Sequence, residues 1–117
     1  MIVEEGKKAI AKLIHDHFDK IDIGDGGDDT SSSQTTLDHS VVTQKTATKS
    51  VVGKQVVYQV EFAGSEISAA SIAEIGIFAN NTDATLNGDL LSRINFNSLG
   101  PFAASDTIGF SIVVVID

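Results

Sequence analysis

The amino-acid sequence predicts a mainly β fold, an antiparallel β-sandwich-like domain with one N-terminal amphipathic helix. Three observations predict it. Over residues 4–18 the apolar side chains recur at spacings of three and four, the period of a helix face. Beyond Leu37 they alternate with polar ones in short runs, the period of a half-buried strand. Clusters of Gly, Asn, Asp and Ser separate the runs, and these residues turn the chain because Gly tolerates positive φ while Asn, Asp and Ser bond their own backbone. With 117 residues, 42% of them hydrophobic, the chain reads as one domain over residues 1–117. That length buries roughly two-thirds of the unfolded surface, enough for a core without disulfides or a structural metal.

The elements follow in order. In the helix, Ile10, Leu13, Ile14 and Phe18 form the apolar stripe, Glu4 and Glu5 sit at the start, and Lys7, Lys8 and Lys12 lie on the solvent side. Negative charge at a helix N-terminus meets the favourable end of the dipole. The β-rich part begins near residue 20. Ile21 and Ile23 flank Asp22 in a short strand, and residues 24–36, rich in Gly, Asp, Ser and Thr, have no period and read as an irregular surface loop. Residues 40–48 pair with a strand carrying Val56, Tyr58, Val60 and Phe62 on one face, across a connection at residues 50–54, as an antiparallel hairpin. Residues 71–79 form a strand with Ile75 and Ile77 on one face and Ile72, Glu74 and Phe78 on the other. Residues 80–89 form a polar loop containing Asn87-Gly88, a strong turn signal. Residues 90–96 and 108–116 are the last two strands, joined by a segment with the single proline, Pro101.

The final strand carries Ile108, Phe110, Ile112, Val114 and Ile116 on one face, and Val113 and Val115 make part of the other face apolar as well. A strand apolar on both faces is central or covered by a neighbour, and a domain this short has few elements left to cover it. The prediction is therefore a subunit interface at Val113 and Val115, with Ile10 and Leu13 of the helix as a second contact.

Composition limits the chemistry. The chain has 16 acidic and 8 basic residues, a net charge of −8, three His, one Tyr and no Cys. Lacking clustered Lys and Arg, it is not predicted to bind nucleic acid or anionic membranes. Without Cys there are no disulfides, thiolate metal sites or Cys nucleophiles. Met1 to Val3 are too few for a signal peptide, and the longest apolar run, residues 112–116, is far short of the roughly 18 residues of a membrane span.

Several constellations invite a chemical reading. His15-Asp16-His17 offers imidazole ligands, but on a helix residues two apart point away from each other, so a solvated helix end is preferred. Asp19, Asp22, Asp25, Asp28 and Asp29 form an acidic series without the spacing of an EF-hand or a calcium-binding repeat. Asp25, Asp28 and Asp29, with Asn80, Asn81 and Asp83, are instead assigned as loop contacts. His39 with a Ser and an Asp lacks any nucleophile-elbow sequence. Gly24-Asp25-Gly26-Gly27 lacks the Lys and Ser/Thr of a phosphate loop. No catalytic, metal or cofactor residue is predicted, so the chain is expected not to be an enzyme. Gly24 and Gly26 are read as sharp strand exits, Gly76 as a structural residue, and Glu74, beside Ile75-Gly76, as an anchor for backbone donors or a partner of Arg93 if their strands are neighbours.

Five segments in order then acquire a joint meaning: the helix Glu5-Gly6-Lys7-Lys8-Ala9-Ile10-Ala11-Lys12-Leu13, the strand and loop Ile21-Asp22-Ile23-Gly24-Asp25-Gly26, the strand Ile72-Ala73-Glu74-Ile75-Gly76-Ile77-Phe78, the strand Leu90-Leu91-Ser92-Arg93-Ile94-Asn95-Phe96, and the apolar last strand from Asp106-Thr107-Ile108. This order, over nearly the whole chain, resembles the small structural proteins of tailed phages and related archaeal viruses, of the tail fibre or tail-collar type. Departures are Ser92 in place of the usual Ala, and Asp28-Asp29 where Thr-Ala-Pro is usual. The resemblance implies a non-enzymatic virion protein that self-associates, as a trimer first of all, and meets other virion proteins or a host surface receptor. A stand-alone carbohydrate- or calcium-binding β-module is the alternative.

Overall fold

A computed structural model describes residues 1–28, 30–68 and 71–117 of the protein. Helix α1 (Glu4–His17) runs directly into strand β1 (Phe18–Gly24), and β2 (Lys45–Thr46), β3 (Thr48–Val52), β4 (Gln55–Ala63), β5 (Ile72–Ala79), β6 (Leu90–Leu99) and β7 (Thr107–Val115) follow. Two antiparallel sheets result, the first in the order β2-β1-β5-β6 and the second in the order β3-β4-β7. The fold is thus mainly β and sandwich-like, with one N-terminal helix, as the two periodicities predict.

The core lies between the sheets. Ile21 and Ile23 of β1 and Ile75 and Ile77 of β5 face Val56, Tyr58, Val60 and Phe62 of β4 and Ile112 of β7. Taking each such side chain fully out of water contributes about 1.5–3 kcal/mol. Ile72 also joins this core, although alternation predicts it on the face of Glu74. A register shift between Ile72 and Glu74 where β5 pairs with β6 accounts for the difference, since one slipped residue reverses the facing.

Helix α1 lies over β3 and β4, beside β1. Its N-terminal turn carries Glu4 and Glu5 and its last turn His15 and His17, matching the dipole at both ends. The helix stops where Phe18 turns extended and its N–H caps the Ile14 carbonyl. The stripe against the sandwich is Ala11, Ile14 and Phe18, with Ala11 fully buried. Leu13 is 59% exposed and Ile10 half-buried, which rotates the predicted stripe. Tyr58 meets the last turn of the helix, where its hydroxyl donates to the Phe18 carbonyl at 2.7 Å, and the fully buried Ala11 lies on the face turned to the core.

The hairpin differs from prediction in its first strand. β4 pairs with β3 through a tight turn at Gly53 and Lys54, so residues 50–52 are strand rather than connection. The earlier segment belongs to the other sheet: β2 pairs with β1, and Ser40 bridges Gly24. The chain changes sheets at the buried Ala47, between β2 and β3.

The strand covered on both faces is β5, every residue of which is buried, not β7. β7 is an edge strand of the second sheet, with Val113 51% and Val115 44% exposed. β5 has its second face covered from within the chain, by the loop described next.

Candidate functional site

The loop of residues 25–39 leaves β1 at Gly24 and returns at Ser40. Its neck is closed by backbone bonds from Asp25 N to the His39 carbonyl and from Val41 N to the Ile23 carbonyl, each 3.1 Å. It folds over the outer face of the first sheet, where Leu37 is buried against Gly76. Two charged side chains, Glu74 of β5 and Arg93 of β6, hold it there, and both side chains are fully buried.

Arg93 stands opposite Gly76 in register, so its guanidinium crosses above a residue with no side chain. Its Nε donates to Glu74 Oε1 at 2.8 Å. One terminal nitrogen donates to the Asp28 carbonyl at 2.8 Å and the Thr30 hydroxyl at 3.1 Å. The other donates to Asp38 Oδ2 at 3.0 Å and the Gly26 carbonyl at 3.4 Å. These contacts engage all five N–H donors of a guanidinium. Glu74 is engaged as fully: Oε1 also accepts from Asp38 N at 2.8 Å, and Oε2 accepts from Gly26 N at 2.8 Å and His39 N at 2.9 Å. Burial pushes the Glu74 carboxyl up, but the Arg93 guanidinium and the three backbone donors outweigh it and hold the group below the usual carboxylate range. With no lone pair or proton left over, the pair fixes backbone. It turns a Gly-, Asp- and Ser-rich segment into a shaped surface.

Gly24 and Gly26 are required by close approach rather than by positive φ, which occurs instead at Gly53, Gly88 and Gly100. A Cβ on Gly24 would lie 2.2 Å from the His39 carbonyl oxygen and 2.5 Å from Glu74 Oε2, and one on Gly26 2.2 Å from Asp38 Cβ. At Gly76 the added carbon would meet Leu37 Cδ2 at 2.8 Å. We expect Gly24→Ala to cost about 1–3 kcal/mol through forced displacement of the neck. Gly27→Ala, with nothing within 4 Å, should be neutral by comparison. Urea unfolding midpoints of the two variants measure the difference.

The remaining residues singled out from sequence divide among several places. Asp25 bonds His39 through its carboxylate and is otherwise exposed. Asp28 is exposed and meets the clamp only through its backbone: its N–H donates to Asp38 Oδ2 at 3.1 Å, and its carbonyl accepts from Arg93. Asp29 lies outside the described residues. Asn80 Oδ1 accepts from the Thr82 N–H and hydroxyl, and Asn81 is exposed. The Asn87-Gly88 turn has positive φ at both residues and is closed by Asp89 N donating to the Leu86 carbonyl at 2.8 Å, as that dipeptide predicts. The two imidazoles of the helix end take separate carboxylates, His15 with Asp16 at 3.0 Å and His17 with Asp83 at 2.7 Å. Among the described residues no group of three or more His, Asp or Glu side chains is arranged to hold a metal ion, and no helix is long and apolar enough to cross a membrane.

Asp83 ties the second loop to the helix. Its Oδ1 accepts from the N–H groups of Thr85 and Leu86 at 3.0 and 2.8 Å. The His17 imidazole first, and these two donors after it, bring its carboxyl from the ordinary 3.8 down to about 2. A carboxyl with a lowered folded-state pKa contributes stability that is complete above its unfolded value and lost as pH falls through the folded one. Melting temperature should therefore fall as pH drops from 3.8 towards about 2. Asp83→Asn should flatten part of that fall, and an unchanged acid limb in the variant would count against the link.

Sequence reading missed Asp38, Thr30 and Leu37 as clamp components, and it placed Asp22 in an acidic series without assigning it a buried position. Asp22 is buried on the same outer face, opposite Gly76, and accepts from the Ser40 hydroxyl at 2.6 Å. Burial pushes its carboxyl up. The available signal was Asp22 itself, a charge at the centre of a strand between two isoleucines. No protein-family model matches the chain, and no curated protein matches it.

Proposed function

We propose that this chain is a non-enzymatic structural protein of a tailed virus, a self-associating component of a tail fibre, baseplate or other appendage that mediates assembly or contact with the host surface. The observation that carries the reading is the buried Glu74–Arg93 pair, which spends every hydrogen bond on holding an exposed loop to a rigid sheet. Such loops on a rigid scaffold are the usual carriers of recognition. Residues 31–33 of that loop are exposed serines, and residues 80–89 present a second loop braced by Asp83. The order of the five segments that resembles tail proteins supplies the virion assignment. Its mechanism is geometric: the sandwich sets the position of the loops, and the loops meet a neighbouring virion protein or a receptor.

An electron-microscopy map of the intact particle tests this. The expected result is copies of the two-sheet fold in an external appendage, with one of the two loops at a contact or at the outer surface. Particles that carry no copy of the chain would overturn the reading.

A further inference from the structure

We propose that β7 pairs antiparallel with β7 of a second copy of this chain, about a two-fold axis at Ser111, to join two three-stranded sheets into one of six strands. The proposal rests on the self-association reading above and names its surface.

Edge strands with free backbone groups invite pairing, and proteins block them with charge, shortness or a covering loop. The other three edges each carry one of these devices over at least part of their length. β2 is two residues long and carries Lys45, and β3 carries Lys49. The first half of β6 is flanked by Thr30, Ser31, Ser32 and Gln34, and the Thr30 hydroxyl donates to the Arg93 carbonyl. β7 has none of these devices among the described residues: its nine residues, Thr107–Val115, contain no charge and no proline, and there it pairs on one side only, with β4.

The sandwich is also open along this edge. Ile94, Phe96 and Leu99 of β6 form an apolar groove with Ile75, Phe110 and Ile112. Ile94, in register with the core residue Ile75, is nevertheless 46% exposed, as is Leu99. A second copy drawn up beside β7 would close the open side of this groove.

Charge leaves a second copy free to bind here. A chain of net charge −8 repels its own copies wherever acidic groups face each other, and this strand offers no acidic group. A two-fold axis at Ser111, the midpoint of β7, pairs the strand over its full length. It sets Val113 beside Gly109 of the second copy and Val115 beside Thr107, a large side chain against a smaller one in each case. The closed unit holds two chains rather than the three that the resemblance implies.

The chain contains no Cys, so single introduced thiols report the register. Paired residues on antiparallel strands have Cα atoms about 4.5–5.5 Å apart, within the roughly 4.4–6.8 Å that a disulfide spans. Ser111→Cys should therefore cross-link two chains under mild oxidation. Val113→Cys should not, because its own copy lies four residues further along the strand, on the order of 13 Å away. Light scattering of the unmodified protein should give the mass of two chains, Val113→Lys should reduce it to one, and Leu13→Lys on the helix should leave it unchanged. If the unmodified protein is dimeric but Ser111→Cys cross-links no better than Val113→Cys, or Leu13→Lys is the variant that dissociates it, the β7 pairing is overturned while self-association stands. A single-chain mass throughout the micromolar range, with no cross-link, overturns both.

Discussion

Arg93→Ala is expected to lower stability by about 3–5 kcal/mol, because it leaves the Glu74 carboxylate buried without its cation. For a chain of 117 residues that corresponds to a fall in melting temperature on the order of 10–25 °C. The loss should be local as well as global. Hydrogen exchange should rise at the amides of Gly26, Asp38 and His39, which donate to Glu74, before it rises in the core strands. A paired replacement separates the two effects. Glu74→Leu with Arg93→Met removes both charges, and apolar substitutes for a buried ion pair are often neutral or stabilising. That variant should keep the sandwich but open residues 25–39 to proteolysis, since only the neck bonds and Leu37 then hold them. An Arg93→Ala protein that melts at the wild-type temperature would remove the clamp from the account.

Tyr58→Ala is expected to cost a further independent 3–5 kcal/mol, roughly, as large-to-small changes at fully buried aromatics do. Tyr58 is completely buried under α1 and joins the helix to the second sheet through its bond to the Phe18 carbonyl. Its loss should therefore reduce helical circular dichroism at temperatures where the strands remain. Tyr58→Phe keeps the packing and loses the hydroxyl bond alone, so it should cost only about 1 kcal/mol. If the Phe variant were as unstable as the Ala variant, the hydrogen bond and not the ring would be the anchor. Burial pushes the Tyr58 hydroxyl up to about 12, so it stays protonated as a donor throughout the ordinary pH range.

The two variants probe features of different legibility. Tyr58 stands in the alternation Val56, Tyr58, Val60, Phe62, and its place in the core follows from the period alone. The position of the helix above it does not, because the stripe Ile10, Leu13, Ile14, Phe18 and the observed stripe Ala11, Ile14, Phe18 share two residues. A one-residue rotation of a helix is decided by what lies beneath it, not by the spacing within it. Glu74 and Arg93 were recognisable as a pair only on the condition that their strands be neighbours, and residues 72–79 and 90–99 do pair. The three backbone donors that Glu74 accepts come from residues 35 to 48 positions away, and nothing in a local pattern points to them.

Local sequence by itself determined the helix, five of the strands and the Asn87-Gly88 turn, because side-chain period and turn chemistry act over a few neighbouring residues. It also determined that the chain carries one more apolar strand face than a small sandwich needs. Only the tertiary structure decided which strand is covered twice. β5 acquires its second cover when a polar loop is pinned across it by a buried ion pair, while β7, apolar in much the same way, is left at an edge. The physical reason is that burial belongs to the whole arrangement: a face is dry when some other part of the chain, near or far in sequence, has the hydrogen bonds to stay on top of it.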